Sequence, residues 1–184
     1  MYRAVKINSS NANDDSLRKL FESSFPEEER VPYDEFIKTI DKYNLDYEAF
    51  YEGEKLVGIF IVYILPKYNY AQSLAVPEEL RCKGIGQKLL SVMLEKYSKG
   101  KNPLIGDVES TLQADAPNID IRKRRQSFYL RNGFKETGRY YTYKGVSYQT
   151  LSTSNEPMSK EDHDEILSAT LPIIDEISKN IEKK

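Results

Sequence analysis

The residues best suited to chemistry in this 184-residue chain are Gly84 and Gly86, with Arg81 just ahead of them. A helix begins with backbone N–H groups that lack an intrahelical acceptor, and it carries partial positive charge there. Both features suit a pyrophosphate, and glycine lets a phosphate approach the backbone where a Cβ would hinder it. In Arg81-Cys82-Lys83-Gly84-Ile85-Gly86 the glycines stand where a helix starts, after the strand-like Leu74-Ala75-Val76, whose backbone can serve an extended ligand. A plain strand-to-helix turn with two convenient glycines has the same local pattern, but a strand before and a helix after are the context a binding loop needs. Two other phosphate loops are excluded. A dinucleotide fingerprint needs a third glycine where Leu89 stands, and a P-loop needs Gly-Lys followed by Ser or Thr, which the chain lacks.

Composition narrows the remaining chemistry. One histidine, His163, and one cysteine, Cys82, rule out an internal disulfide and argue against a metal site of the Cys/His kind or a His-based nucleophile pair. Carboxylates, tyrosines, backbone amides or a bound cofactor are left, and 14 tyrosines with no tryptophan offer apolar walls with phenols at their tips, compatible with a ligand cleft. His163, in the C-terminal tail, reads as a surface residue. The net charge of −2 is not that of a duplex-binding domain, so no nucleic-acid partner is expected. No run of eighteen apolar residues could span a membrane, and Met1–Ile7 has no apolar core of a secretory signal. A cytoplasmic protein with no membrane partner is the expectation.

The elements that must position the loop follow from periodicity. Residues 2–7 read as a strand. Leu17, Leu20, Phe21 and Phe25 form a helical stripe ended by Pro26, and Tyr33, Phe36, Ile37 and Ile40 form a second after the acidic turn Glu27-Glu28-Glu29. Strands are expected at 46–52, 56–64 and 68–76, and the near-continuous apolar run of the second marks a central strand covered on both faces. A helix with Leu89, Leu90, Met93, Leu94 and Tyr97 on one side follows the glycine loop. A strand at 103–109, a polar loop at 110–119, a helix from a capping Asp120 to Asn132 ended by Gly133, and strands at 134–137 and 140–151 complete the unit. A Ser/Thr/Asn/Pro-rich linker over 152–160 precedes a helical pattern that Pro172 should kink or divide. The order predicts an α/β (α+β) protein with a mixed seven-stranded sheet and helices on both faces, as one domain over 1–151 and an extension over 152–184.

The segment Val76-Pro77-Glu78-Glu79-Leu80-Arg81-Cys82-Lys83-Gly84-Ile85-Gly86 resembles the V-x-P-x-x-R/Q-x-x-G-x-G/A motif of the GNAT acetyltransferase superfamily. Phe128-Tyr129-Leu130-Arg131-Asn132-Gly133-Phe134 is similar to the F-Y-x-x-x-G-F end of that family's fourth helix, and the element order resembles the family from residue 2 to about 151. The resemblance implies a mostly antiparallel twisted sheet and an N-acetyltransferase that moves an acetyl group directly from acetyl-CoA to a primary amine of a small molecule, peptide or protein, with no metal. A non-catalytic acyl-CoA-binding sensor is the alternative, and a protein-interaction scaffold fits less well, because it would not need the loop.

The resemblance also implies roles. The amides of Cys82, Lys83, Gly84, Ile85 and Gly86 would bind the pyrophosphate, with Arg81, Gln87 and Lys88 close by, and the pantetheine would run beside Leu74, Ala75 and Val76. The Val76 N–H would donate to the thioester carbonyl and stabilise the oxyanion of the tetrahedral intermediate. Tyr129, which alone reads as a core aromatic, matches the position whose phenol protonates the leaving thiolate. Asn132 reads as a cofactor contact or a helix-end cap. Glu109 reads as the general base or as an exposed strand-end carboxylate. Glu28 and Glu29, with Tyr33, would wall the acceptor site, or the acids form a solvated charge run. Arg122, Lys123, Arg124 and Arg125 could hold the 3′-phosphate or form a solvated face. Cys82 belongs to the loop by its backbone and is not read as an acyl carrier. The Ile/Leu face of the C-terminal helix either packs on its own domain or makes a homodimer contact.

Overall fold

A computed structural model of the chain describes residues 2–24, 32–98 and 102–182, with side chains described through Asp175. In chain order the elements are β1 (Arg3–Lys6), α1 (Asp15–Ser23), α2 (Tyr33–Ile40), β2 (Leu45–Glu52), β3 (Lys55–Ile64), β4 (Asn69–Ala75), α3 (Ile85–Tyr97), β5 (Leu104–Glu109), α4 (Ile119–Arg131), β6 (Lys135–Tyr143), β7 (Val146–Ser152) and α5 (Lys160–Glu182). The seven strands form one sheet in the order β1-β2-β3-β4-β5-β7-β6. All neighbours are antiparallel except β4 and β5. The expected mixed, mostly antiparallel sheet with helices on both faces is the observed one.

The apolar run at 56–64 is the sheet's centre, with Leu56 through Tyr63 buried on both faces. On one face Ile59 and Ile61 pack with Leu17 and Phe21 of α1, Phe36 of α2, and Ile166 and Ile173 of α5. On the other, Phe60 and Val62 pack with Leu89, Leu90 and Met93 of α3 and with Phe134. Asp14 starts α1 by accepting from the amides of Ser16 and Leu17.

Four expectations need correction. The last hairpin turns at Lys144-Gly145, inside the single strand expected over 140–151, because both residues take positive φ (46° and 79°), the turn geometry that matches strand twist. Gly138, where a break was expected, is absorbed as an irregularity within β6, φ 72°. The residue that starts α4 is Asn118, and Asp120 lies in the first turn. Asn118 forms no side-chain cap, because it donates to Glu109 Oε1 (2.9 Å) and accepts from Arg122 Nε (2.7 Å). Pro172 does not divide α5, which remains one helix of 23 residues. Its buried Ile166 and Ile173 show that the apolar face packs back on the sheet. No helix among the described residues is long and apolar enough to cross a membrane.

The feature that positions the site is where β4 and β5 part. They pair only from Asn69↔Leu104 to Ala71↔Gly106. Beyond that point β4 stays with β3 as far as Ala75, while β5 follows β7 to Glu109. Two local causes are visible. At the last paired position a Cβ on Gly106 would lie 3.1 Å from the Ala71 carbonyl oxygen, so glycine permits the close approach. Immediately after it, Ser73 pairs with Ile61 but Ala71 with Val62, leaving Gln72 as a bulged residue that re-aims the strand.

Candidate functional site

The glycine loop lies where the sequence places it. After β4, residues Glu78–Leu80 make one 3-10 turn, and Leu80 and Ile85 tuck into the core on either side of an exposed Arg81–Gly84 segment. Gly84 starts α3 at φ 76°, a left-handed conformation that glycine adopts without strain, and no side chain caps the helix. The first-turn amides of α3 therefore remain available to an anion. Gly86 faces the gap between the end of β4 and α4: a Cβ there would stand 3.8 Å from Val76 Cγ2 and 3.9 Å from Phe128 Cζ. Arg81 folds back so that its Nε donates to the Val76 carbonyl (3.2 Å), which fixes the loop against the strand end. Lys83, Gln87 and Lys88 are exposed around it, and Cys82 is an exposed free thiol at φ 60°.

The wedge between the parted strands continues this surface inward. Past Ala71, β4 has no strand partner on the β5 side among the described residues, so its backbone there can pair with an extended ligand, as expected for Leu74, Ala75 and Val76. A narrow cavity of about 40 Å³ sits in the wedge, lined by Gln72, Ser73, Leu74, Gly106, Asp107 and Tyr129 among others. Tyr129 reaches it from α4, with its ring edge-on to Phe128 and Phe134 at 5.2 and 5.4 Å. Burial raises the phenol above its ordinary value, against an opposing pull from Arg125, and so keeps it protonated.

The other expected residues are placed less favourably. Glu109 accepts from Asn118 (2.9 Å), lies 3.4 Å from Arg122 Nε, and pairs with Arg125 at 2.5 Å. Both of its carboxylate oxygens are therefore engaged by α4 and the residue that starts it. Arg122, one of the four basic residues expected to face solvent or phosphate, is 5% exposed and bonds the Ser110 carbonyl and Gln113, so it braces the 110–119 loop. Asn132 closes α4 by donating to the Phe128 carbonyl (2.7 Å). Tyr33 is 2% exposed, lies in the core against Phe21, and donates to the Ala12 carbonyl (2.8 Å), so it offers no face to an acceptor. Glu28 and Glu29, with Glu27, lie outside the described residues.

Two polar residues at the wedge, and a third joined to them through Thr150, were not anticipated. The Gln72 Oε1 is buried without a hydrogen-bond partner among the described residues. Asp107, on the face of β5 opposite α4, accepts from Tyr70 and Tyr141 at Oδ2 (2.8 Å each) and from Thr150 at Oδ1 (2.6 Å). His163, expected at the surface, is 4% exposed and lies 3.0 Å from Thr150 Oγ1. An acid inside the apolar strand Leu104-Ile105-Gly106-Asp107-Val108 was the available signal for Asp107. Nothing local marks His163, because its burial depends on α5 returning to the sheet.

Comparison with known proteins agrees with this geometry. The family described as "Acetyltransferase (GNAT) domain" matches residues 46–136, a span that holds the glycine loop, the wedge and Tyr129. No curated protein matches the chain in sequence. A GNAT-family protein from Bacteroides thetaiotaomicron is similar in structure with TM-score 0.72 at 22% identity, over 92% of this chain and 97% of that one. A GNAT family acetyltransferase from Elizabethkingia anophelis with acetyl-CoA bound is similar with TM-score 0.58 at 15% identity, over 83% and 97%. A Bacillus subtilis acetyltransferase in complex with CoA is similar with TM-score 0.60 at 16% identity, over 85% and 100%. At these identities the likeness is one of fold, and the sequence match over the site adds the family. The chain thus carries a domain of the GNAT acetyltransferase family over residues 46–136.

Proposed function

We propose that this chain is an acetyl-CoA-dependent N-acetyltransferase that transfers the acetyl group directly to a primary amine. The observation that carries this reading is the continuity of three features: an uncapped helix start at Gly84–Gly86, an unpaired β4 edge, and a cavity with a protonated Tyr129 on its wall. Two of the fold neighbours hold acetyl-CoA or CoA, which supports the same ligand here. The residues present fit it. The amides from Cys82 to Gly86 bind the pyrophosphate, with Arg81, Lys83, Gln87 and Lys88 adding charge and polar contacts around it. The backbone of Leu74, Ala75 and Val76 holds the pantetheine in extended form, and Asn132 shapes the neighbouring end of α4. Acetyl-CoA supplies an activated acyl group with a thiol leaving group. The Val76 N–H donates to the acyl oxygen as charge develops on it, and Tyr129 donates its proton to the departing sulfur. Glu109 serves by anchoring α4 through Arg122 and Arg125. Glu28 and Glu29 draw a cationic acceptor towards the site. The catalytic unit covers 1–151, and the segment 152–184 extends it.

The test is a substitution that opposes the pyrophosphate without disturbing the backbone. Gly84 is unsuitable, because any side chain at φ 76° is strained before a ligand arrives. Gly86 lies in the helix and a Cβ there meets only ordinary contacts. Gly86→Asp therefore places a carboxylate beside the phosphate site in a fold that tolerates it. The expected result by isothermal titration is an acetyl-CoA Kd raised at least tenfold, about 1.4 kcal/mol, with little change in melting temperature. An unchanged Kd would remove the binding-loop assignment.

A further inference from the structure

The wedge has two walls, and the proposed reaction uses only one of them. Tyr129 and the glycine loop stand on the α3–α4 side. On the opposite side Asp107 lines the same cavity and has hydroxyl partners from three strands: Tyr70 of β4, Tyr141 of β6 and Thr150 of β7. Donor and acceptor counting fixes the direction of this network. A carboxylate has about four lone-pair positions and each hydroxyl one proton. Thr150 donates its proton to Asp107 and must therefore accept at its own oxygen, which requires His163 to carry a proton on Nε2. The chain runs from His163 Nε2–H to Thr150 Oγ1–H to Asp107 Oδ1. Burial lowers the His163 pKa, against an opposing pull from Asp107, so the neutral Nε2–H form suffices at neutral pH.

Asp107 is left with three neutral donors, no lysine or arginine within pairing distance among the described residues, and one lone-pair position on Oδ1 still open. Gln72, on the bulge of β4, lines the same cavity, and its Oε1 is buried with no donor among the described residues. Both groups are acceptors short of N–H partners, and the carboxylate also lacks a countercharge. A primary ammonium supplies three N–H donors and one positive charge.

We propose that the acceptor ammonium docks between Gln72 and Asp107, that Asp107 takes its proton, and that His163 of the C-terminal helix is a positioning residue that holds Asp107 in place through Thr150. This rests on the N-acetyltransferase reading and names the acceptor side of the same site. One ammonium N–H bond breaks, an O–H bond forms on Asp107, and the electron pair stays on nitrogen. That pair forms the C–N bond as the C–S bond breaks, and the sulfur takes its proton from Tyr129. The nitrogen then loses a second proton, which restores Tyr129 through solvent. In sum, an ammonium and a thioester become an amide, a thiol and one proton released from Asp107. The helix beyond residue 152 thus completes an acceptor site that the matched domain does not contain alone.

The titratable and charged groups facing Asp107 are Tyr70 from β4, Tyr141 from β6 and His163 from α5, with Arg139, Lys160 and Asp164 acting on His163. Burial raises the Asp107 carboxyl, while the three hydroxyl donors and then His163 pull it down. Losing His163 leaves the Thr150 oxygen without its donor and weakens the Thr150 hydrogen bond that holds the carboxyl down, so the Asp107 carboxyl rises further. The experiment follows thiol release from acetyl-CoA with spermidine, tyramine and lysine methyl ester as amine probes, from pH 5 to 9, alongside acetyl-CoA titration of every variant. Asp107→Asn is expected to lower kcat/KM for the amine at least ~100-fold with acetyl-CoA affinity within threefold. His163→Leu is expected to move the acidic limb of the kcat/KM profile to higher pH. His163→Gln, which can still donate to Thr150, is expected to move it back towards the wild-type position. An Asp107→Asn protein that turns over amines as well as wild type overturns the proposal while the acetyltransferase reading stands. So does a parallel loss of acetyl-CoA affinity, or an acidic limb that His163→Leu leaves in place. Wild-type protein that binds acetyl-CoA and acetylates none of the probes overturns it as well, and failure to bind acetyl-CoA overturns the underlying reading itself.

Discussion

At the scale of single residues the account turns on which groups are free to act. Tyr129 is protonated and borders the wedge, whereas Glu109 is held by Arg122 and Arg125. Tyr129→Phe removes one hydroxyl and leaves the ring that packs on Phe128 and Phe134. It is expected to lower kcat by about 10²-fold, the lower range for loss of a general acid, with acetyl-CoA affinity nearly unchanged. An equal fall in affinity would mean that the ring's packing, and not its proton, matters. Cys82→Ser is expected to keep most of the transfer rate, because the loop uses the backbone of that exposed residue. Complete loss of turnover in this variant would contradict direct transfer. The glycine loop was readable because its chemistry is local: two glycines, a cation and a helix start. Asp107 and His163 were not, because their meaning lies in partners on β4, β6 and β7, up to 43 residues away in sequence.

Among the elements, the sheet's register is tied to α3 by a charged cluster at its end. Asp46 on β2 accepts from Lys6 on β1 (2.6 Å) and from Tyr97 on α3 (2.6 Å), and Lys96 on α3 pairs with both Asp46 (3.1 Å) and Glu48. Burial pushes the Asp46 carboxyl up, but these hydrogen bonds and the Lys96 charge outweigh it and hold the pKa at about 2. A folded value below the unfolded one of about 3.9 means that the stabilisation is fully present above that value and disappears as pH falls through about 2. The melting temperature of Asp46→Asn should therefore lie below wild type at pH 6, with the gap closing between pH 4 and pH 2. A gap that stays constant over that range would contradict the linkage. Strands and helices with clear periodicity were legible from sequence. The boundaries that failed have physical causes. Lys144-Gly145 takes a turn geometry that permits a hairpin inside an apparently continuous strand, and Asn118 is drawn from capping by Glu109 and Arg122.

For the whole molecule, the C-terminal segment is part of the same core. Met158, Ile166 and Ile173 are buried with α1, α2 and β3, Arg139 donates to the Met158 carbonyl (2.9 Å), and Tyr143 donates to Asp175 (2.6 Å). Each buried Ile or Met is worth about 2–5 kcal/mol against alanine, so a chain ending at residue 154 should melt well below the full chain or fail to fold. Unchanged melting after truncation would show that α5 rests on the domain without supporting it. The division at residue 151 read from sequence follows the Ser/Thr/Pro-rich stretch; residues 153–159 hold no regular element, but the helix beyond them returns to the sheet. Tertiary return of this kind has no local signature, since an amphipathic helix looks the same whether its partner is its own sheet or another chain.

The most direct test of the central claim is thiol release from acetyl-CoA by the full chain across polyamines, aminoglycosides, amino acids and peptides. The account predicts amine-dependent release that saturates with acetyl-CoA and falls in the Gly86→Asp and Tyr129→Phe proteins. Tight CoA binding with no release on any amine would contradict it and leave an acyl-CoA sensor in its place.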